Sequence, residues 1–117
     1  MCKKDIEIIN DMIVEKYEQM LKAFTDATRN NTIKYKQLLS CNAKVADIGE
    51  YYILFSYSTL VAFIEKSSDT CYDVLRYVYG YTATSAQHIS KFRKNVVYGG
   101  YGKGKYGCEA VYTYVAK

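Results

Sequence analysis

The chain has 117 residues and a formal net charge of +4; 50% of its residues are hydrophobic and 24% are charged. This balance is typical of one globular domain and excludes a disordered tail. No apolar run approaches the roughly 18 residues that a membrane-spanning helix needs. The start, MCKKDIEIIND, lacks the apolar block of a secretory signal. We therefore expect a single intracellular domain over residues 1–117.

The four cysteines lie far apart in the sequence, at Cys2, Cys41, Cys71 and Cys108. No two of them can form the CxxC pair of a zinc ribbon or a redox centre. In a reducing compartment they are expected to be thiols that pack like small apolar side chains. A surface thiol, or a metal site shared between two chains, is the alternative. We predict no bound metal and no cofactor.

Residues 1–30 are predicted to form one long helix. Apolar side chains recur at spacings of three and four, which makes one stripe on a helix; they are Ile6, Ile9, Ile13, Tyr17, Met20, Phe24 and Ala27. At about 1.5 Å per residue the helix would be roughly 40 Å long, which is more than a small sheet covers. Part of the helix is therefore expected to project, or to pair with a second copy in a homodimer. Asn30 and Asn31 are expected to end it.

Residues 32–117 are predicted to form an α+β core. Residues 32–48 are ambiguous: a strand followed by a loop is favoured, and a short helix over LLSCNAKVADI is the alternative. YYILFSY and TLVAFIE have the composition and period of strands, with a bend or hairpin at Ser56–Ser58 between them. Lys66–Asp69 is a turn. TCYDVLRYVYGYT and CEAVYTYV are predicted as further strands.

The stretch YTATSAQHISKF, residues 81–92, is predicted to begin a short helix near 84–96. Thr84 is expected as its N-cap, with Gln87 three residues later in a capping box. Ile89, Phe92 and Val96 then fall on one face. The complete prediction is an α+β fold with the long N-terminal helix, this short helix, a C-terminal strand and a mainly antiparallel sheet of about four to five strands that carries its helices on one face.

His88 is the only histidine and the first candidate for catalysis. A general base needs a nucleophile or an acid within reach, and Ser85 lies one turn earlier on the predicted helix. The interpretation we favour is a helix-face histidine that is bonded to the backbone or to a neighbour. Asp47 with Glu65 and Lys66 only loosely resembles a nuclease D…ExK pattern, because the spacer residue is missing. We therefore predict no catalytic residue.

A basic, tyrosine-rich segment spans residues 91–106, where YGGYGKGKYG supplies five glycines within ten residues. Basic side chains without a nearby acid can meet a nucleic acid or an acidic protein surface, and tyrosines are favoured at interfaces. Tyr57 and Tyr77 are expected in or near the core instead. The predicted partner-binding residues are Lys91, Arg93, Lys94, Tyr98, Tyr101, Lys103, Lys105 and Tyr106.

Two stretches, SYSTLVAFIEK and YVYGYTATSAQHISKF, resemble a small domain of unknown function that is common in bacteriophages and prophages. The family pattern is SYxTxVA, then a strand that ends in tyrosine and a TTxxHIxxF helix; this chain reads SYxTxVA and Y-T-x-T-x-x-x-HIxxF. The matching positions here are Ser56, Tyr57, Thr59, Val61, Ala62, Tyr81, Thr82, Thr84, His88, Ile89 and Phe92. The family has adjacent threonines where this chain reads TATS. The match covers about 40 of the 117 residues.

The resemblance implies a phage origin and a small α+β core. Small phage proteins of this kind are often host-takeover or anti-defence factors, anti-CRISPR proteins among them. The implied partner is a host defence protein or nucleoprotein complex, such as a CRISPR effector, in the bacterial cytoplasm. The expected function is a non-catalytic inhibitor that occupies a functional surface of that complex. Two alternatives stay open: a small nucleic-acid-binding module that uses segment 91–106, and a hydrolase that uses His88.

Overall fold

The computed structural model describes residues 3–37, 42–68, 70–80, 82–95 and 110–115. Its elements, in chain order, are α1 (Lys3–Asn30), β1 (Lys34–Gln37), β2 (Ala43–Asp47), β3 (Tyr51–Ser56), β4 (Thr59–Glu65), β5 (Thr70–Asp73), α2 (Leu75–Val78), α3 (Ala83–Asn95) and β6 (Ala110–Thr113). The predicted α+β fold is confirmed, with its long N-terminal helix, its short helix and its C-terminal strand. No helix within the described ranges is both long and apolar enough to cross a membrane.

The strands form one sheet in the order β1-β2-β3-β4-β5-β6. The first five are joined as an antiparallel meander, and β6 pairs with β5 in parallel. A parallel pair needs a crossover connection, and α2 and α3 lie in that connection. The sheet is therefore mainly antiparallel, as predicted, with slightly more strands than expected.

The two long helices cover opposite faces of the sheet, so the prediction of helices on one face is wrong. Successive residues of a strand point to opposite sides. The core beneath α1 contains Ile13, Met20, Ala46, Tyr51, Ile53, Phe63, Tyr72 and Val74. The core beneath α3 contains Ala43, Val45, Leu54, Val61, Ala62, Ile64, Cys71, Leu75, Ile89 and Phe92. Strands that are apolar on both faces, such as YYILF, need cover on both.

α1 lies along its face of the sheet and ends as predicted. Ile13 and Met20 are fully buried against the strands. Asn31, just after the helix, has a φ of 55°, and the N–H of Thr32 donates to the carbonyl oxygen of Ala27 at 3.0 Å. This hydrogen bond after a left-handed residue is the Schellman arrangement that ends many helices.

Asn10 ties the last described residues to α1. Its side-chain Nδ2 donates to the carbonyl oxygen of Val115 at 2.7 Å, and its Oδ1 accepts from the N–H of Val115 at 3.0 Å. Asn10 is only 2% exposed. Lys16 Nζ adds an ion pair with Glu65 Oε2 of β4 at 3.0 Å. These polar contacts fix the position of α1 relative to the sheet.

The structure corrects the predictions for residues 43–47 and 74–80. Residues 43–47 form β2 rather than a loop or a helix, because Ala43 and Val45 are buried while Lys44 between them is exposed. The strand predicted over TCYDVLRYVYGYT ends at Asp73. The Asp73 carboxylate accepts from the N–H of Leu75 at 3.0 Å, which turns the chain out of the strand and begins α2.

A β-bulge in β4 places Thr59 on the same face of the sheet as Ser56. The pairing of β3 with β4 is regular up to Leu54 and Ala62, after which Val61 is inserted as an extra residue. Without this insertion, the alternation of side chains would turn Thr59 to the opposite face. The predicted hairpin between the two strands is confirmed, with residues 57 and 58 as its turn.

Candidate functional site

α3 begins earlier than predicted, with Thr82 rather than Thr84 as its N-cap. Thr82 Oγ1 accepts from the N–H of Ser85 at 3.2 Å. Thr84 and Gln87, the pair predicted as a capping box, are both exposed. Ser85 and His88, three residues apart, lie on the helix face that packs on β3. Ser85 thus gives its backbone N–H to the cap and its hydroxyl group to the contact with β3.

Ser56, Ser85 and His88 form a buried hydrogen-bonded cluster between β3 and α3. The two serine hydroxyl oxygens are 2.9 Å apart, and Ser56 Oγ lies 2.8 Å from His88 Nδ1. The three residues are 2%, 6% and 4% exposed. Across the part of the chain that the structure describes, no buried side-chain nitrogen or oxygen lacks a hydrogen-bond partner. His88 is thus bonded to a serine of a distant strand.

His88 favours its neutral form in this environment. Burial lowers the pKa of the imidazole, and the positive charge of Lys91, one turn later on α3, lowers that pKa further. A neutral imidazole carries one N–H and one lone pair. Depending on the tautomer, His88 Nδ1 can therefore donate a hydrogen bond to Ser56 Oγ or accept one from it. Among the described residues, the hydrogen-bond partner of His88 is Ser56 and not a carboxylate, which is the partner that a hydrolase triad has.

Tyr57 stands over the cluster in the turn between β3 and β4. Its φ is 57°, a left-handed conformation that costs a non-glycine residue roughly 1–2 kcal/mol. Glycine is the usual residue where the first position of such a turn needs a positive φ. The side chain is 56% exposed, and its ring centroid lies 5.9 Å from that of His88. Tyr57 therefore does not lie in the core as expected, because the turn directs it outward.

Tyr77, which we expected in or near the core with Tyr57, occupies an intermediate position. It is 42% exposed. Its ring centroid nevertheless lies 4.9 Å from that of Tyr114 and 5.7 Å from that of Tyr17 on α1. Tyr77 thus packs at the margin of the core beneath α1.

A cleft of about 290 Å³ opens beside Tyr57, and we call it the hydroxyl cleft. Its lining residues are Ser56, Tyr57, Thr59, Tyr79, Thr82, Thr84 and Ser85. Every one of them carries a hydroxyl group, and none carries a charge. Tyr79 is 66% exposed. The hydroxyl cleft therefore offers two exposed aromatic rings and a set of neutral hydrogen-bonding groups.

The two separated motif stretches meet at the hydroxyl cleft. Ser56, Tyr57 and Thr59 come from the first stretch, Thr82 comes from the second, and His88 lies beneath them. The sequence reasoning missed Ser56 as the partner of His88. The one signal in the sequence was that both residues belong to the pattern on which the expected resemblance rests.

Most of the predicted partner-binding residues lie where the structure gives no side-chain description. Lys91 is exposed and Arg93 is half-buried, both on α3. The remaining side chains, those of Lys94, Tyr98, Tyr101, Lys103, Lys105 and Tyr106, lie outside the described residues. Their role in binding stays a prediction. Of the four cysteines, Cys71 is fully buried among apolar side chains, and the other three also lie outside the described residues.

The carboxylates of the loose nuclease pattern form ion pairs on opposite faces of the sheet. Lys66 Nζ lies 2.7 Å from Asp47 Oδ1, and Lys16 Nζ lies 3.0 Å from Glu65 Oε2. Burial alone would raise the pKa of Asp47, but hydrogen bonds from Lys66 and from the Gly49 N–H, together with nearby lysine charges, lower it below its usual value. Within the described ranges, no group of three or more His, Cys, Asp or Glu side chains could hold a metal ion.

Comparisons of the chain with protein-family models, with curated proteins and with solved structures found no match. The function of the molecule must therefore be inferred from the hydroxyl cleft and from the other surfaces that the fold presents.

Proposed function

We propose that the chain is a non-catalytic, phage-encoded binding protein that inhibits a bacterial defence complex by covering a functional surface of that complex. The observation that carries the binding role is the exposed ring of Tyr57, held in a strained turn above a closed polar cluster. The phage origin and the choice of a defence complex, such as a CRISPR effector, rest on the resemblance of the SYxTxVA and HIxxF stretches.

The backbone conformation of Tyr57 supports a contact role. A left-handed tyrosine persists only where the surrounding structure holds it, and such residues cluster at ligand contacts and active sites. Glycine would form the same turn without that cost, but it would present no ring. The cluster of Ser56, Ser85 and His88 supplies a rigid base for the ring, because its members are buried and bonded to one another.

The lining of the hydroxyl cleft favours a protein as the partner. None of its described lining residues is charged, so they offer no cation to a phosphate group. Tyrosine rings with neutral hydroxyl groups provide contact area and hydrogen bonds together, as in many protein interfaces. Tyr57 and Tyr79 are the anchors that we assign to this contact, since residues that dominate binding energy are enriched in tyrosine.

The test is inhibition of purified CRISPR effector complexes, each assayed with and without its guide RNA. Tyr57→Gly and Tyr79→Leu each remove one ring, and both variants should lose comigration with the effector and allow target cleavage. Tyr57→Gly should change the free energy of unfolding by less than about 1 kcal/mol, because the relieved strain offsets the extra freedom of glycine in the unfolded chain.

Two controls belong to this test. Tyr79→Phe keeps the ring, and Lys22→Gln alters an exposed residue on α1; both should inhibit as the wild-type chain does. Full inhibition by Tyr57→Gly and Tyr79→Leu would show that the hydroxyl cleft is not the contact surface. Absence of binding to every effector in the panel would overturn the proposed target.

A hydrolase with Ser56 as nucleophile and His88 as base is the second candidate, and one observation favours it. The 2.8 Å between Ser56 Oγ and His88 Nδ1 is a suitable distance for a nucleophile and its base. It ranks lower because Ser56 is 2% exposed and no described carboxylate orients the imidazole. Labelling of Ser56 by a fluorophosphonate probe, lost in His88→Asn, would establish the hydrolase. An unlabelled wild-type chain would support the non-catalytic role.

A further inference from the structure

A second cleft, which we call the edge groove, lies beside β1 and β2 at one edge of the sheet. Its volume is about 470 Å³, and it is lined by Tyr35, Lys36, Gln37, Asn42, Ala43, Lys44, Tyr57 and Ser58. Ligand sites commonly measure roughly 300–1,000 Å³, so the groove has the size of a binding site. It shares only Tyr57 with the hydroxyl cleft.

The edge groove carries positive charge. Lys36 and Lys44 line it from the two sides of the sheet edge, because Lys36 pairs with Val45 and Lys44 pairs with Gln37. None of the described lining residues is acidic. Lys34 is also exposed on β1, opposite Asp47. The nearest acid along β2 is Asp47, whose carboxylate forms an ion pair with Lys66. A concave basic surface without acids attracts a polyanion, which distinguishes this groove from the uncharged hydroxyl cleft.

Two exposed aromatic rings stand in the same groove. Tyr35 and Tyr57 are each 56% exposed. The ring of Tyr35 is supported by Phe55, at a centroid distance of 6.4 Å, and Phe55 in turn packs against Phe24 of α1 at 5.8 Å. Solvent-facing rings beside basic residues are what proteins use to stack the bases of a single strand.

We propose that the edge groove binds single-stranded nucleic acid, with bases stacked on Tyr35 and Tyr57 and phosphates paired with Lys36 and Lys44. Stacking requires bases that are not already paired in a duplex. An acidic protein would satisfy the lysines but would not need the exposed ring faces. The two clefts share Tyr57, but the binding does not depend on the proposed inhibition of a defence complex, because it also uses Tyr35 and the two lysines, which do not line the hydroxyl cleft.

The test is fluorescence anisotropy of the full chain with labelled oligothymidylate and oligouridylate of about 20 nucleotides, and with a DNA duplex of equal length. Both single strands should bind with dissociation constants of roughly 10⁻⁴–10⁻⁶ M, and the duplex should bind more weakly. Two phosphate contacts predict a logarithmic salt slope of about −1.4, so affinity should fall about sevenfold between roughly 50 and 200 mM salt.

Variants locate the site. Tyr35→Leu keeps an apolar contact with Phe55 but removes the stacking ring, and it should weaken single-strand binding about tenfold. Lys44→Gln should reduce the magnitude of the salt slope by about 0.7. Tyr79→Leu and Lys22→Gln change an exposed ring and an exposed lysine outside the groove, and they should bind as the wild-type chain does. Urea unfolding of each variant confirms that it is folded.

Several outcomes would overturn the proposal. Wild-type affinity in both Tyr35→Leu and Lys44→Gln would place binding elsewhere, and no binding by the wild-type chain would remove it altogether. Equal affinity for the duplex, or equal competition by polyglutamate, would show that charge alone is recognised. This binding assay contains no effector. A negative result in it would therefore not contradict inhibition through the hydroxyl cleft. A failure to inhibit effectors would likewise not contradict nucleic-acid binding in the edge groove.

Discussion

Ser56 connects the polar cluster, since both Ser85 and His88 contact its hydroxyl oxygen. Polar groups are stable in an apolar interior only when they are hydrogen-bonded. Ile89 and Phe92 bury α3 against the sheet, but apolar contacts are not directional. The two hydrogen bonds therefore fix the position of α3 on β3, and with it the shape of the hydroxyl cleft.

Replacing Ser56 with alanine should lower the free energy of unfolding by about 1–3 kcal/mol, because two buried polar groups lose this partner. Urea denaturation measures the change. Ser58→Ala, at an exposed position of the adjacent turn, is the matched control and should stay within about 0.5 kcal/mol of the wild-type value. If the two variants lost equal stability, the cluster would not hold α3 in place.

At the scale of elements, the pair Asn10 and Val115 joins α1 to the chain segment that follows β6. Asn10→Ala should cost about 1–3 kcal/mol, since the part-buried N–H and carbonyl of Val115 each lose a hydrogen bond to this side chain. The Val115 amide should also exchange its hydrogen faster, which native-state hydrogen exchange measures. Gln19→Ala, exposed on the same helix, should change neither quantity. Unchanged exchange at Val115 in Asn10→Ala would show that β6 holds this segment unaided.

Elements with a strong periodic pattern were predictable from the sequence, and those decided by one contact were not. The apolar stripe of α1 and the apolar runs of β3 and β4 appear where the patterns indicate. β5 ends where the Leu75 N–H donates to the Asp73 carboxylate, a local contact that no periodic pattern reports. β2 is only five residues long, so its alternation is too short to distinguish a strand from a loop.

The candidate site was less predictable than the fold, because its members come from distant parts of the chain. Ser56 and His88 are 32 residues apart, and no local pattern reports such a contact. Both Thr82 and Thr84 are residues of a type that caps helices, but only Thr84 has a glutamine three residues later, so the capping-box pattern indicated the wrong threonine. The exposure of Tyr57 follows from a turn conformation that favours glycine, whereas its surroundings in sequence resemble a strand.

At the scale of the whole molecule, α1 and α3 cover the two faces of the sheet. The edge strand β1 and the turn between β3 and β4 are exposed. The two clefts meet at Tyr57, which lines both.

The homodimer through α1 stays a prediction. The buried part of the α1 stripe serves the chain's own core, and Ile8, 61% exposed, is available to a second copy.

The stability of the molecule near neutral pH should depend on His88, the only histidine in the chain. Its folded-state pKa lies below the ordinary value of 6.5. As the pH falls below that value, the unfolded chain binds a proton that the folded chain does not, so the free energy of unfolding should decrease until the folded-state pKa is reached. Above pH 6.5 this residue should cause no change.

Urea denaturation of the wild-type chain and of His88→Asn, between about pH 5 and 8, measures this dependence. Asparagine can keep a hydrogen bond to Ser56 but does not titrate. The difference between the two curves isolates His88 from the carboxylates, including Asp73, whose pKa burial raises. Parallel curves would mean that His88 has the same proton affinity in the folded and the unfolded chain.

The two hydrogen bonds between Asn10 and Val115 also affect the order in which the elements should fold. Each hairpin within β1–β4 closes a loop of a few residues, whereas these two hydrogen bonds join residues 105 positions apart. The entropy lost on closing a loop grows with its length, and contacts of high sequence separation slow folding. The meander should therefore form first and pack against the apolar stripe of α1. The hydrogen bonds of Asn10 to Val115 should form last, so the segment after β6 is the final part of the chain to be fixed.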